Sequence, residues 1–395
     1  MRFATPSTRR RLTRATAFVV ALAAPLARVS AQSTAARDTT HAAPDTASYG
    51  ALHLTVHDVG IAIGNARHVD GIRLNYRDSG HYVVHGLNAT VWTTYPHADG
   101  VVQGMALGVP LTQAREIDGL GVGLGLGADE NLSGLAVGVG VGAGKSTRGI
   151  MIAGLGAGSG GDMVGIAIGG LGVGAGRNVR GILIGGLGVG AGESMTGVSI
   201  AGLGSGAGNR VRGLSVAGLG VGAGESLEGV SVAGLGVGAG TSVRGLTLAG
   251  IGVGAGNDVV GITFGGLGVG AGNRIRGLTV AGIGIGAGSS VEGITIAGVG
   301  VGAPRVRGLV VSLTAGGENV KGVLLTPAYV RIPRDGSFTG FSASAFNHVK
   351  GTQHGLTLGI FNFAHELHGV QLGLLNYAGN NHGIAKFLPF VNAHH

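Results

Sequence analysis

The chain has 395 residues, of which 85 are glycine and none cysteine, and a formal net charge of +8. Without cysteine there is no disulfide framework and no cysteine to carry a lipid. The glycines stand in register with abundant Val, Ile and Leu, which excludes both a collagen-like triplet and a disordered low-complexity tract.

Residues 1–31 read as an export signal peptide. Arg9, Arg10, Arg11 and Arg14 form a positive region, and residues 15–27 an apolar stretch too short to span a bilayer as a helix. Val29, Ser30 and Ala31 then suit cleavage before Gln32. The Arg9-Arg10 pair is compatible with a twin-arginine route as well as the general one. This segment holds six arginines and no acid, leaving 21 basic against 19 acidic side chains in the mature chain, a formal +2. The basicity therefore belongs to the signal, and no basic face points to a nucleic-acid partner. Residues 32–48 are small, polar and Pro-containing and read as a flexible linker.

Residues 49–118 carry degenerate repeats with marker glycines at 71, 86 and 104, and hold Trp92, Tyr76, Tyr82 and Tyr95. Larger side chains and irregular spacing predict an N-terminal cap over what would otherwise be a sticky sheet edge. Residues 119–303 are the regular part, where marker glycines from Gly149 to Gly293 recur every sixteen residues. One copy reads Gly245-Leu-Thr-Leu-Ala-Gly-Ile-Gly-Val-Gly-Ala-Gly-Asn-Asp-Val-Val260. A fixed short period is the signature of a stacked repeat architecture. Residues 304–383 are shorter repeats, with an insertion over residues 331–337 that reads as a projecting loop. Residues 384–395 break the pattern with Pro389 and aromatics, as a C-terminal cap would.

Within one copy, Val243, Leu246, Leu248, Ile251, Val253 and Ala255 are the expected inward residues, spaced 3, 2, 3, 2 and 2. Steps of two are strand alternation, and steps of three read as corners that keep the same face inward. These features predict an all-β chain, a parallel β-solenoid of 14–16-residue repeats. With about twenty marker glycines and about 4.8 Å per coil, the rod would be on the order of 100 Å long. The residue before the marker glycine alternates, with Arg212, Glu228 and Arg244 in successive copies, giving a second period of 32. In a solenoid this alternation avoids columns of like charge. It also admits the alternative of hairpins, as an antiparallel β-meander or an outer-membrane β-barrel.

The C-terminal copies His354-Gly-Leu-Thr-Leu-Gly-Ile-Phe-Asn-Phe-Ala364 and His368-Gly-Val-Gln-Leu-Gly-Leu-Leu-Asn-Tyr-Ala378 precede the ending Leu388-Pro-Phe-Val-Asn392. This pattern resembles the surface-repeat proteins of leptospires and several other Gram-negative groups, most closely over residues 340–392. The resemblance implies an exported, repeat-built surface protein and carries over no activity and no site residue.

Candidate chemistry is sparse. Gly218-Leu-Gly-Val-Gly-Ala223 has the spacing of a dinucleotide fingerprint, but it recurs in copy after copy with no helix to follow. Gly142-Ala-Gly-Lys145-Ser146-Thr147 resembles the end of a phosphate-binding loop, yet the first glycine that motif requires falls at Val139. Both read as backbone geometry. Ser199, Ser215, Ser231, Thr247, Thr263, Thr279 and Thr295 recur at one position opposite the expected core, a hydroxyl file that would suit ice or a glycan if it lay on the surface. His354, His368 and His382 recur at fourteen residues, as surface turns. Asn347, Asn362, Asn376 and Asn392 read as a corner ladder satisfying backbone groups. No catalytic set, cofactor-binding motif or metal-ligand set stands out. The expectation is an exported, non-enzymatic repeat protein, in the periplasm, on the outer surface or outside the cell, that presents a long surface for adhesion, self-association or envelope scaffolding.

Overall fold

The computed structural model describes residues 50–94 and 97–395; residues 1–31, read above as a signal peptide, residues 32–48, read as a linker, and Tyr95 lie outside them. Among the described residues there is no α-helix, and one 3-10 turn, Gly383–Lys386, interrupts the strands. Ser242–Ala249 pairs in parallel with Ser226–Ala233 on one side and with Asp258–Gly265 on the other, always sixteen residues apart. Gly252–Ala255 does the same with its own neighbours. Such pairing of i with i+16 is a right-through parallel stack, a β-solenoid, and it excludes the meander and the barrel.

The corners differ from the sequence expectation. Val243, Thr247, Ala249 and Val253 are buried, with Ala255 packed partly buried behind them. Inward residues are thus two apart on the flats and four apart around each corner, so parity is never switched. The corners fall at the marker glycine, at Gly250-Ile251 and at Gly256-Asn257. Leu246 and Leu248, expected inside, lie half-exposed on the outside, and Ile251 is 48% exposed. The interior between three short, close sides is narrow. It takes Val, Ala, Ser and Thr at most rungs and a larger residue at single ones, as at Leu183, Met195, Leu227 and Ile275, while the Leu246, Leu248 and Ile251 positions face outward.

At the first corner the backbone needs glycine. Gly245 has φ of 116°, and a Cβ there would press on the carbonyl oxygen of Gly229 in the preceding coil. The same holds along the column from Gly60 to Gly369, while Gly383 leaves it for the terminal 3-10 turn. Close backbone approach and positive φ together account for the period.

Both ends of the stack are closed by antiparallel strands. Leu52–Val56 folds back on Val59–Ile63, and Phe387–His394 lies antiparallel on the last coil, from Gly369 to Tyr377. Inside the first coils the core turns polar. The buried Arg73 guanidinium donates to Asp78 at 2.5 Å, Asn88 at 3.0 Å and Asn65 at 2.6 Å, and stacks 4.2 Å over the Tyr82 ring. Tyr82 in turn donates to Asp78 at 2.9 Å. Burial, then the Asp78 charge, pushes the Tyr82 phenol well above its ordinary range. The insertion near residue 333 is smaller than expected: Ile332 is fully buried in the strand Tyr329–Ile332, and only the Pro333–Gly336 turn projects.

Candidate functional surfaces

Three sides of the coil carry three different exteriors. The first bears charge: Arg212 and Glu228 pair in register and close an ion pair at 2.8 Å, and Glu228 pairs onward with Arg244. Turn residues do likewise between coils, as with Arg274 and Asp258 at 3.1 Å. At another turn the Lys145 ammonium, 2.9 Å from Glu130, holds that carboxyl below its usual range. Lys145 therefore serves as a turn partner and not as a phosphate ligand.

The second side is aliphatic. In one coil Ile262 is 44%, Phe264 38% and Leu267 51% exposed. The equivalent residues repeat in each neighbouring coil, making three parallel files from Ile150 to Leu325. The third side is nearly bare glycine through the regular repeats, with Gly252 and Gly254 facing out around the buried Val253. Toward the C-terminus that glycine gives way to aromatics, Tyr329, Phe346, Phe361 and Phe363, whose neighbouring rings lie 5.0–5.4 Å apart where they pair as Tyr329–Phe346 and Phe346–Phe361.

The hydroxyl file is where the sequence reading is corrected. Ser199, Ser215, Ser231, Thr247, Thr263, Thr279 and Thr295 do align in one column, but all lie inside, at most 5% exposed. Ser199 bonds Ser215 at 2.9 Å and Ser205 at 2.8 Å across the interior. The Thr263 and Thr279 hydroxyls find no partner. The file is core, and it offers no hydroxyls to ice or a glycan. The cause is the parity above: residues of the apolar pattern and of the hydroxyl file exchange faces.

Of the histidines, His354 and His368 do stack, with centroids 5.0 Å apart, but their third neighbour is His394 of the closing strand, at 6.1 Å, and His382 stands apart at the 3-10 turn. The asparagine ladder forms as expected. Asn347 donates to Asn362 at 2.7 Å and Asn362 to Asn376 at 2.8 Å, while their amides also reach the Leu358 and Leu372 carbonyls. Asn392 completes it against the Asn376 carbonyl at 3.4 Å.

One cluster was not singled out from sequence: His68, Asp70 and His85, outward on the first two strands after the N-terminal hairpin, His68–Arg77 and Val83–Trp92. Its signal was present, because the fifteen residues from Asp70 to His85 equal the step from Gly71 to Gly86. Compared with family models, with curated proteins and with solved structures, the chain has no match.

Proposed function

We propose that the mature chain is an exported, non-enzymatic rod that associates side by side with further copies of itself, forming an extended scaffold at the cell envelope. The observation that carries this is the aliphatic side. Three half-exposed files over some eleven coils expose apolar surface on the order of 2,000 Å², against about 300–600 Å² for the largest patch of a typical monomer. A standard interface needs only about 800 Å² per partner. The face is flat and repeats once per coil, so a second copy is the occupant that can meet every file in register. Its border carries Arg at 148, 180, 212, 244 and 276, separated in the coils between by Val164, Thr196, Glu228, Val260 and Glu292, so over this stretch no two basic residues of the column sit in adjacent coils. The export element rests on the reading of residues 1–31, and the envelope placement also on the resemblance of residues 340–392.

The test is the association state of residues 32–395 by analytical ultracentrifugation over micromolar concentrations. Concentration-dependent dimers or larger assemblies are expected, and Ile262→Lys with Phe264→Lys and Ile294→Lys should return the chain to monomer. A wild-type chain that stays monomeric, or a triple variant that associates equally, overturns the proposal. Co-flotation of monomer with phosphatidylcholine vesicles would assign the face to lipid instead.

A further inference from the structure

We propose that His68, Asp70 and His85 form a surface site for a divalent transition-metal ion of the zinc type. The site is built by the coil repeat. His68 and Asp70 lie two apart on His68–Arg77 and so face the same way, and Asp70 pairs directly with His85 on Val83–Trp92. The Asp70 Oδ1 atom is 2.7 Å from His85 Nδ1 and 3.6 Å from His68 Nε2. The two rings meet edge to face with centroids 5.5 Å apart, and all three donor atoms lie within 4.8 Å of one another. The side chains are 41–46% exposed, so an ion reaches them from solvent.

The chemistry follows from the donor set. Zinc takes imidazole nitrogen and carboxylate oxygen at about 2.0–2.2 Å, which places tetrahedral donors roughly 3.3–3.5 Å apart. His68 and Asp70 already stand close to that spacing at 3.6 Å, and His85 must withdraw by about 0.6–0.8 Å from its 2.7 Å contact as the ion takes the place of the hydrogen bond. Two imidazoles with one carboxylate suit zinc, nickel or copper and give magnesium and calcium too few oxygens. Three protein ligands leave the remaining position to water. The ion would bridge two successive coils beside the antiparallel hairpin, fastening the end of the stack where the aliphatic core gives way to the polar Arg73 network.

The site is tested by titrating Zn2+ into residues 32–395 by calorimetry, beside Asp70→Asn and His85→Ala. Asp70→Asn keeps the size and a hydrogen-bond acceptor, so it separates ligation from folding. Each variant is expected to lose one equivalent of zinc, or at least about a hundredfold in its affinity. Zn2+ should also raise the melting temperature of the wild type more than that of Asp70→Asn. If both variants bind zinc with the wild-type stoichiometry and affinity, or if the wild type binds Mg2+ as well as Zn2+, the assignment is overturned.

Discussion

At the scale of single residues, the fold rests on glycines that differ sharply in what they do. Gly245 combines positive φ with a Cβ direction that runs into the Gly229 carbonyl, closer than the 3.0 Å that real Cβ contacts respect. Gly254 faces outward with nothing within 4 Å of its absent side chain. Gly245→Ala should therefore cost about 3 kcal/mol of stability, and Gly254→Ala should be neutral or slightly stabilising. Urea unfolding of the two variants measures the difference; equal midpoints would remove this account of the repeat. The buried hydroxyls make a second contrast. Thr263 has an unpartnered hydroxyl in the core, so the isosteric Thr263→Val should stabilise by about 1 kcal/mol. Ser199 is bonded on both sides, and Ser199→Ala should instead destabilise by about 1 kcal/mol. The same urea midpoints, moving in opposite directions, check both. These faces also mark where sequence reasoning stopped short. A rule that places Leu inside and Thr outside failed here because inward residues are four apart around each corner, so parity puts the Leu246 and Leu248 positions outside and the Thr247 position inside, a position that Leu183 fills in its own coil.

At the scale of elements, the coils near the C-terminus replace a Val file by asparagines and a glycine file by aromatics, exchanging plain apolar packing for directed bonds. His348 sits in that aromatic run, 5.2 Å from the Phe346 ring and 5.3 Å from Phe363, with the Tyr329 hydroxyl 2.8 Å from its Nδ1. Burial foremost, then the charges of Lys350 and Arg331, lowers its pKa. Folding thus favours the neutral ring. The stabilisation is full above the unfolded value near 6.5 and is lost as pH falls from there through the lowered folded value. Urea midpoints measured from pH 7.5 down to 4.5 should fall less steeply for His348→Gln than for the wild type. Parallel slopes would show that His348 does not contribute. The asparagine ladder was legible in the sequence because its residues recur at coil spacing and have few other uses in a narrow interior. The Arg73–Asp78–Tyr82 network was not legible: its members are irregularly spaced, and only the meeting of successive coils with the Asp78 turn brings them together.

At the scale of the whole molecule, the period of sixteen predicted a parallel stack but left hairpins open, and the register of i with i+16, which sets the marker glycines over one another, decided it. The second period of 32 places each Arg of the column from Arg148 to Arg276 between uncharged or acidic neighbours, and at Arg212 and Glu228 it closes an ion pair. What the period left open was how such a stack ends. A parallel coil leaves a full row of unpaired backbone donors and acceptors at its last rung, a template for the next chain. Phe387–His394 occupies that row by running antiparallel to it, pairing from Gly369 with His394 to Tyr377 with Phe387. An antiparallel strand cannot continue the parallel register, so addition of another coil stops there. Removing residues 380–395 should expose the rung and let two rods join through their C-terminal ends, the N-terminal end staying closed by its own hairpin, seen as rods of doubled length by electron microscopy. Because this contact uses backbone groups at the rod end, the Ile262→Lys, Phe264→Lys and Ile294→Lys changes should not suppress it. A truncated chain that folds, by its circular dichroism, yet remains a single rod with or without those changes would show that the terminal strand is not what limits the rod.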